Sequence, residues 1–164
     1  MMKKLIIING TMGVGKTTVC KELYKHLNDS VWLDGDWCWM MNPFVVNEEN
    51  KAMVLDNINH ILGNFLQNSS YKYVIFNWVI HNDEIFDLVL DKIKELDFKL
   101  YKITLICSEK SLQDRMRLDG RSEEGIMQSI ERLKLYESMN TIKLDTSCIS
   151  IPETVQKVME IVAD

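Results

Sequence analysis

One stretch constrains this chain more than any other: Gly10-Thr11-Met12-Gly13-Val14-Gly15-Lys16-Thr17, with Thr18 directly behind it. An apolar run of strand length, Leu5-Ile6-Ile7-Ile8-Asn9, leads into it. The segment Val19 to Leu27 leaves it with apolar residues at helical spacing. Strand, glycine-rich turn and helix form the setting in which the pattern G-x-x-x-x-G-K-[ST] has a mechanism. Glycines let successive backbone N–H groups turn inward to make a concave anion nest. The following helix adds its free N-terminal amides and the positive end of its dipole. The ligand implied is a nucleoside triphosphate, and ATP with Mg²⁺ is expected. Gly10, Met12, Gly13, Val14, Gly15 and Thr18 supply the cradle, Lys16 reaches the β- and γ-phosphates, and the Thr17 hydroxyl ligates Mg²⁺.

The rest of the composition fits an ordinary globular domain. Hydrophobic residues make up 46% and charged residues 26% of the 164, so one domain over residues 1–164 with a substantial core is expected. Nineteen Lys and Arg against 24 Asp and Glu leave a net charge of -5. That argues against a general polyanion binder, and no nucleic-acid partner is expected. Cys20, Cys38, Cys107 and Cys148 are far apart and lack metal-site spacing; Cys20 and Cys107 sit in apolar runs and read as small buried hydrophobes. No run approaches membrane-spanning length, and Leu5–Ile8 is too short for a signal peptide. A cytoplasmic, reduced setting with no membrane partner is therefore expected, and the sequence does not choose between a monomer and a homodimer.

Strand-like runs alternate with helical patterns from end to end, which implies an α/β fold: a three-layer α/β/α sandwich around a five-stranded parallel sheet. The expected strands are Leu5–Asn9, Val31–Asp34, Tyr73–Asn77, Leu100–Cys107 and Ile142–Asp145. Helices are expected at about 15–28, 47–67, 83–96, 109–118, 123–139 and 152–163. Asn47 before Glu48 and Glu49 reads as a helix cap with an acidic first turn, and Ser150-Ile151-Pro152-Glu153 reads as a capping box.

Ligands of such sheets sit beyond the carboxyl ends of the strands. The second strand ends in Asp34-Gly35-Asp36. Beside a phosphate loop, Asp34 can support Mg²⁺ and Asp36 can orient or deprotonate a substrate hydroxyl; the competing reading is an Asp-Gly turn with solvated carboxylates. Trp37, Trp39, Phe44 and Trp78 fall where strands have ended, so an aromatic-walled acceptor pocket in the segment of about 36–67 is expected, with Asn77 and His81 as polar contacts. Asn77 stands where many phosphate-loop proteins carry an acid for Mg²⁺, which leaves that role to Asp34. Arg115, Arg117 and Arg121 crowd around Gly120, which suggests a lid over about 115–128 that closes on the triphosphate. The alternative is a solvated helix face.

With these residues in view, the chain resembles the small-molecule and nucleoside-monophosphate kinase branch of the phosphate-loop fold. Gly10-x-x-Gly13-x-Gly15-Lys16-Thr17-Thr18 is similar to the loop of shikimate and gluconate kinases. Arg117-x-x-Gly120-Arg121 resembles the lid entry of adenylate kinases, and Asp34-Gly35-Asp36 resembles the Asp-x-Asp of shikimate kinase. The overall pattern looks closest to chloramphenicol phosphotransferase and tunicamycin-resistance-type proteins. The resemblance implies that Arg117 or Arg115 stacks on adenine, that Arg121 contacts the phosphates, and that the loop at Ser147 borders the base. It implies a kinase transferring the γ-phosphoryl group to a hydroxyl of a small, neutral or aromatic molecule, with Lys16, Asp36 and Arg121 as catalytic residues. Lys51 is the only Lys or Arg within 37–67, which weakens a phosphate-bearing acceptor. A nucleoside or nucleotide kinase is the alternative enzyme. An ATP-binding module that sequesters a ligand without phosphoryl transfer is the alternative outside enzymes.

Overall fold

The computed structural model describes residues 2–163. Five strands, β1 (Lys3–Asn9), β2 (Ser30–Asp34), β3 (Tyr73–Asn77), β4 (Phe98–Ile106) and β5 (Ile142–Asp145), form one sheet in the order β2-β3-β1-β4-β5. Every pairing is parallel. Six helices connect and cover them: α1 (Lys16–His26), α2 (Glu48–Gln67), α3 (Asp83–Leu90), α4 (Glu109–Leu118), α5 (Glu123–Glu137) and α6 (Ile151–Ala163). No helix among the described residues is long and apolar enough to cross a membrane.

The central strand shows why the sheet needs two covered faces. Leu5, Ile6, Ile7 and Ile8 are all fully buried, and successive side chains of a strand point to opposite faces. Ile6 and Ile8 pack with Val19, Leu23, Val155 and Val158, under α1 and α6. Leu5 and Ile7 pack with Val54, Ile58, Leu62 and Phe86, under α2 and α3. A strand that is apolar at every position is thus required by its place between two cores. The chain leaves β1 for one side of the sheet and crosses back to the other between β3 and β4. The switch point therefore lies at the end of β1, where the glycine-rich loop begins.

Local signals hold at the helix ends. Asn47 accepts from the Asn50 amide at 2.8 Å. Ser150 and Glu153 cap one another, through Ser150 N–H to Glu153 Oε2 at 2.7 Å and Glu153 N–H to Ser150 Oγ at 3.4 Å. Helix α4 stops at Gly120 (φ 69°), with Gly120 N–H on Arg117 O and Arg121 N–H on Met116 O. This paired pattern is a Schellman stop, and it fixes where Arg121 leaves the helix.

Two departures from the sequence expectation have local causes. The third helix ends at Leu90 rather than near 96, because Ile93 N–H bonds Leu90 O and Leu96 N–H bonds Ile93 O. These three-residue turns bury Ile93 in the core under α2. Residues Gly35–Trp39 form a short 3-10 helix instead of an open turn, because the Asp34 side chain caps it by accepting from the Asp36 amide.

One buried side chain joins the ends of β1 and β3. Asn9 Nδ2 donates to Ile80 O and Asn9 Oδ1 accepts from Ile80 N–H, both at 2.8 Å. Replacing it, as in Asn9→Leu, strands two buried backbone groups. Urea unfolding should show a loss of about 2–4 kcal/mol; a loss within about 0.5 kcal/mol, the ordinary surface scale, would contradict this tie.

Candidate active site

The loop is shaped by three glycines with positive φ: Gly10 (145°), Gly13 (83°) and Gly15 (107°). At Gly10 a Cβ would stand 2.7 Å from Leu105 O, and at Gly13 it would stand 2.4 Å from Met116 Cγ. The loop thus lies pressed between β4 and α4, where no side chain fits. Gly15 caps α1 without any side-chain hydrogen bond, and the first turn carries no acid. The N-terminal amides of α1 are left for a ligand, which suits an anion.

Lys16 is 9% exposed, and its ammonium donates to Gly10 O and Thr11 O, both at 2.9 Å. Burial lowers its pKa from 10.5 to about 8, against the opposing pull of Asp36 and then Asp34. A buried ammonium bonded only to carbonyls is a cation ready for an anionic partner, and phosphate oxygens are the chemistry it fits.

Asp34 is 3% exposed and sits between the loop helix and the 3-10 helix. Its Oδ2 accepts from Thr17 Oγ1 at 2.8 Å, and its Oδ1 accepts from the Asp36 amide at 3.0 Å. Adjacent hydroxyl and carboxylate oxygens are hard donors of the kind Mg²⁺ takes. No cluster of three or more His, Cys, Asp or Glu suited to a metal occurs among the described residues. Magnesium held largely by substrate phosphates and water needs no such cluster. The Asp36 carboxyl opens into the cavity beside the loop. Its pKa is raised, first by loss of solvent around it, then by the Asp34 charge, with Lys16 opposing.

The cavity joins the loop from Met12 to Thr18 with Asp36 from the second strand end. Asn77, Trp78 and Val79 come from the third, and Asp119 and Arg121 from the stop of α4. Gly35 has a role that a turn reading misses: a Cβ there would stand 2.6 Å from the Trp78 ring. The Trp78 side chain packs directly against Gly35, and this seats it in the wall. Asn77 is 1% exposed, and its Oδ1 accepts from the Trp32 indole N–H at 2.6 Å. Trp37 packs on Trp32, ring centroids 4.9 Å apart, and Trp39 packs on Phe44 at 5.8 Å. Trp37, Trp39, Phe44 and the exposed His81 stand outside the cavity wall.

The arginines divide. Arg121 reaches the cavity with Asp119. Arg117 forks onto Glu123 at 3.0 and 3.1 Å on the exposed surface. Arg115 donates to Val14 O at 3.2 Å and to both Thr146 Oγ1 and Thr146 O, which ties the phosphate loop to the loop after β5. Ser147 is similarly engaged, donating to Asp145 Oδ1 and accepting from the Ser108 amide. The segment 115–128 consists of the end of α4, a short turn and the start of α5. Asn9, Thr146 and Asp119 are site-building residues that motif reading passed over, and only Asp119 had a sequence signal, its place beside Arg121.

The depressed Lys16 pKa sets a pH test. The unfolded chain holds this proton to 10.5 whereas the folded chain releases it near 8. Wild-type stability therefore gains as pH rises through that window. The unfolding free energy of wild type minus that of Lys16→Met should rise by about 1–3 kcal/mol across it. A difference that stays flat with pH would contradict the burial argument.

Comparison with known proteins places this geometry. A family described as AAA domain matches residues 6–135. A 77-residue stretch is 34% identical to the cytidylate kinase of Buchnera aphidicola subsp. Baizongia pistaciae (strain Bp), covering 43% of this chain and 33% of that protein. The match thus spans about a third of that relative's length. The fold is similar to that of the Deinococcus radiodurans tunicamycin resistance protein, with TM-score 0.70, 18% identity, and 98% of this chain and 95% of that chain covered. It is also similar to a gluconokinase from Sinorhizobium meliloti 1021, with TM-score 0.70, 14% identity, and coverage of 98% and 91%.

Proposed function

The chain belongs to the AAA domain family, with the phosphate-loop kinase fold, and on that footing we propose that it transfers the γ-phosphoryl group of ATP to a hydroxyl of a small molecule. The observation that carries this reading is the convergence on one cavity of the Lys16 loop and the Asp36 carboxylate.

In this reading the loop amides and Lys16 hold the phosphates and keep them in line with the acceptor. Thr17 and Asp34 are the residues that would hold Mg²⁺, which when bound neutralises charge on the phosphate oxygens. Asp36 orients the acceptor hydroxyl and takes its proton as the oxygen attacks the γ-phosphorus and ADP departs. Its raised pKa makes it a stronger base than an ordinary aspartate. Trp78 forms the acceptor wall, and Arg121 offsets charge developing on the transferred group. Arg115 acts through Val14 and Thr146 to set the distance between the phosphate loop and the loop after β5.

The cytidylate kinase likeness favours a second reading, in which the acceptor is a nucleoside monophosphate. Such an acceptor wants arginines beside α2, but the only Lys or Arg in 37–67 is Lys51, and its ammonium is paired with Glu48 at 2.8 Å on the surface. The small-molecule reading is preferred for that reason.

ADP release from MgATP, measured across neutral hydroxyl compounds, nucleosides and nucleoside monophosphates, tests the proposal. One acceptor class should stimulate release. Asp36→Asn should cut that turnover by about 100-fold or more while ATP affinity stays within about threefold of wild type. A folded Asp36→Asn that no longer binds ATP would remove its assigned role. ATP binding with no acceptor-stimulated release across the panel would favour a sequestering module.

A further inference from the structure

The cavity carries one carboxylate, Asp119, that the phosphoryl transfer described above does not use. Its charged groups are Lys16, Asp36, Asp119 and Arg121, with Asp34 buried directly behind. Both cations are committed to phosphates in the reading above, on which this inference rests. Asp34 is committed to Thr17 and the Asp36 amide. Asp119 has no such commitment. It makes no ion pair among the described residues. It stands at the C-cap of α4, the negative end of that helix, where a carboxylate is disfavoured by the dipole. It nonetheless lines the cavity together with Arg121, the two flanking the Schellman stop at Gly120.

The neighbouring surface agrees. The same cavity is lined by Asp36 and by Trp78, which is held against Gly35. In residues 37–67 the single Lys or Arg, Lys51, is paired with Glu48. With a triphosphate seated against Lys16 and Arg121, the lining left for the acceptor comprises Asp36, Asp119 and Trp78, with Asn77 and Val79. That environment repels a carboxylate or phosphate group. It attracts an ammonium, which gains from both acids and from the aromatic face.

We propose that the acceptor is a cationic amino alcohol, a hydroxyl compound whose ammonium group lies between Asp119 and the Trp78 ring. Asp119 is then a specificity residue that contacts the acceptor, while Asp36 serves the hydroxyl. This separates the acceptor from nucleoside monophosphates by the sign of its charge rather than by size.

The test is equilibrium binding to the protein loaded with Mg²⁺ and a non-hydrolysable ATP analogue, followed calorimetrically and by tryptophan fluorescence. Three probes share a phenylpropyl frame: phenylalaninol (cationic), 3-phenyl-1-propanol (neutral) and 3-phenyllactate (anionic). Phenylalaninol should bind about tenfold or more tightly than the neutral alcohol, with 3-phenyllactate the weakest, and the advantage should shrink in high salt. Asp119→Asn should reduce the advantage to about threefold or less, and Asp119→Glu should retain most of it. Equal or tighter binding of the neutral or anionic probe would overturn the inference. So would no saturable binding of any probe, or an advantage that Asp119→Asn leaves intact. Selective phenylalaninol binding without ADP release from any amino alcohol would keep the ammonium site at Asp119 and Trp78 and count against phosphoryl transfer. ADP release with neutral acceptors alone would do the reverse.

Discussion

A buried ammonium held by two backbone carbonyls governs this site. Lys16 bonds Gly10 O and Thr11 O rather than a carboxylate. Burial is unfavourable for a charge; the nearby Asp36 and Asp34 carboxylates offset part of that cost, and the loop itself is held in place. Gly10 and Gly13 press it against Leu105 and Met116, Thr11 Oγ1 donates to Ser129 O, and Arg115 grips Val14 O. The loop is thereby held from several sides, and Lys16 and the uncapped start of α1 line one cavity. Preorganised donors of this kind need no rearrangement at the moment of reaction.

The second strand end depends on the same anchoring. Asp34 uses one oxygen to hold Thr17 and the other to cap the 3-10 helix, so the acidic turn is positioned from the loop outward. Asp36 then faces the cavity as a consequence of that cap. The third strand end is placed independently, by Asn9 on Ile80 and by the Trp32 indole on Asn77. The loop and the second and third strand ends thus meet at one cavity.

The fold was legible because its signals are local and redundant. The apolar run at Leu5–Ile8 demands two covered faces, and Tyr73–Asn77 and Ile142–Asp145 have the bounds that the pattern implies. Asn47 and Ser150 cap as their neighbours suggest. The phosphate loop was legible because its chemistry is carried by consecutive residues. What sequence could not give is the partner of each long side chain. Arg115 and Arg117 share one helix and one composition, yet one turns inward to Thr146 and the other outward to Glu123. Gly35 reads as a turn residue until the Trp78 ring is seen lying on it. Asn9 looks like the polar end of a strand, and only the distant Ile80 gives it a role. Trp37, Trp39 and Phe44 stand at a strand end as expected, but they pack on Trp32 and on one another rather than lining the cavity.

The affinity ladder of ATP, ADP and AMP, measured by titration calorimetry for wild type and Lys16→Ala, tests the central claim most directly. The loop and its ammonium account for recognition of the outer phosphates, so ATP should bind wild type at least about 100-fold more tightly than AMP. In Lys16→Ala that ladder should collapse to within about tenfold, while the fold, followed by circular dichroism, is retained. AMP binding as tightly as ATP to the wild type, or a ladder unchanged in Lys16→Ala, would contradict the account.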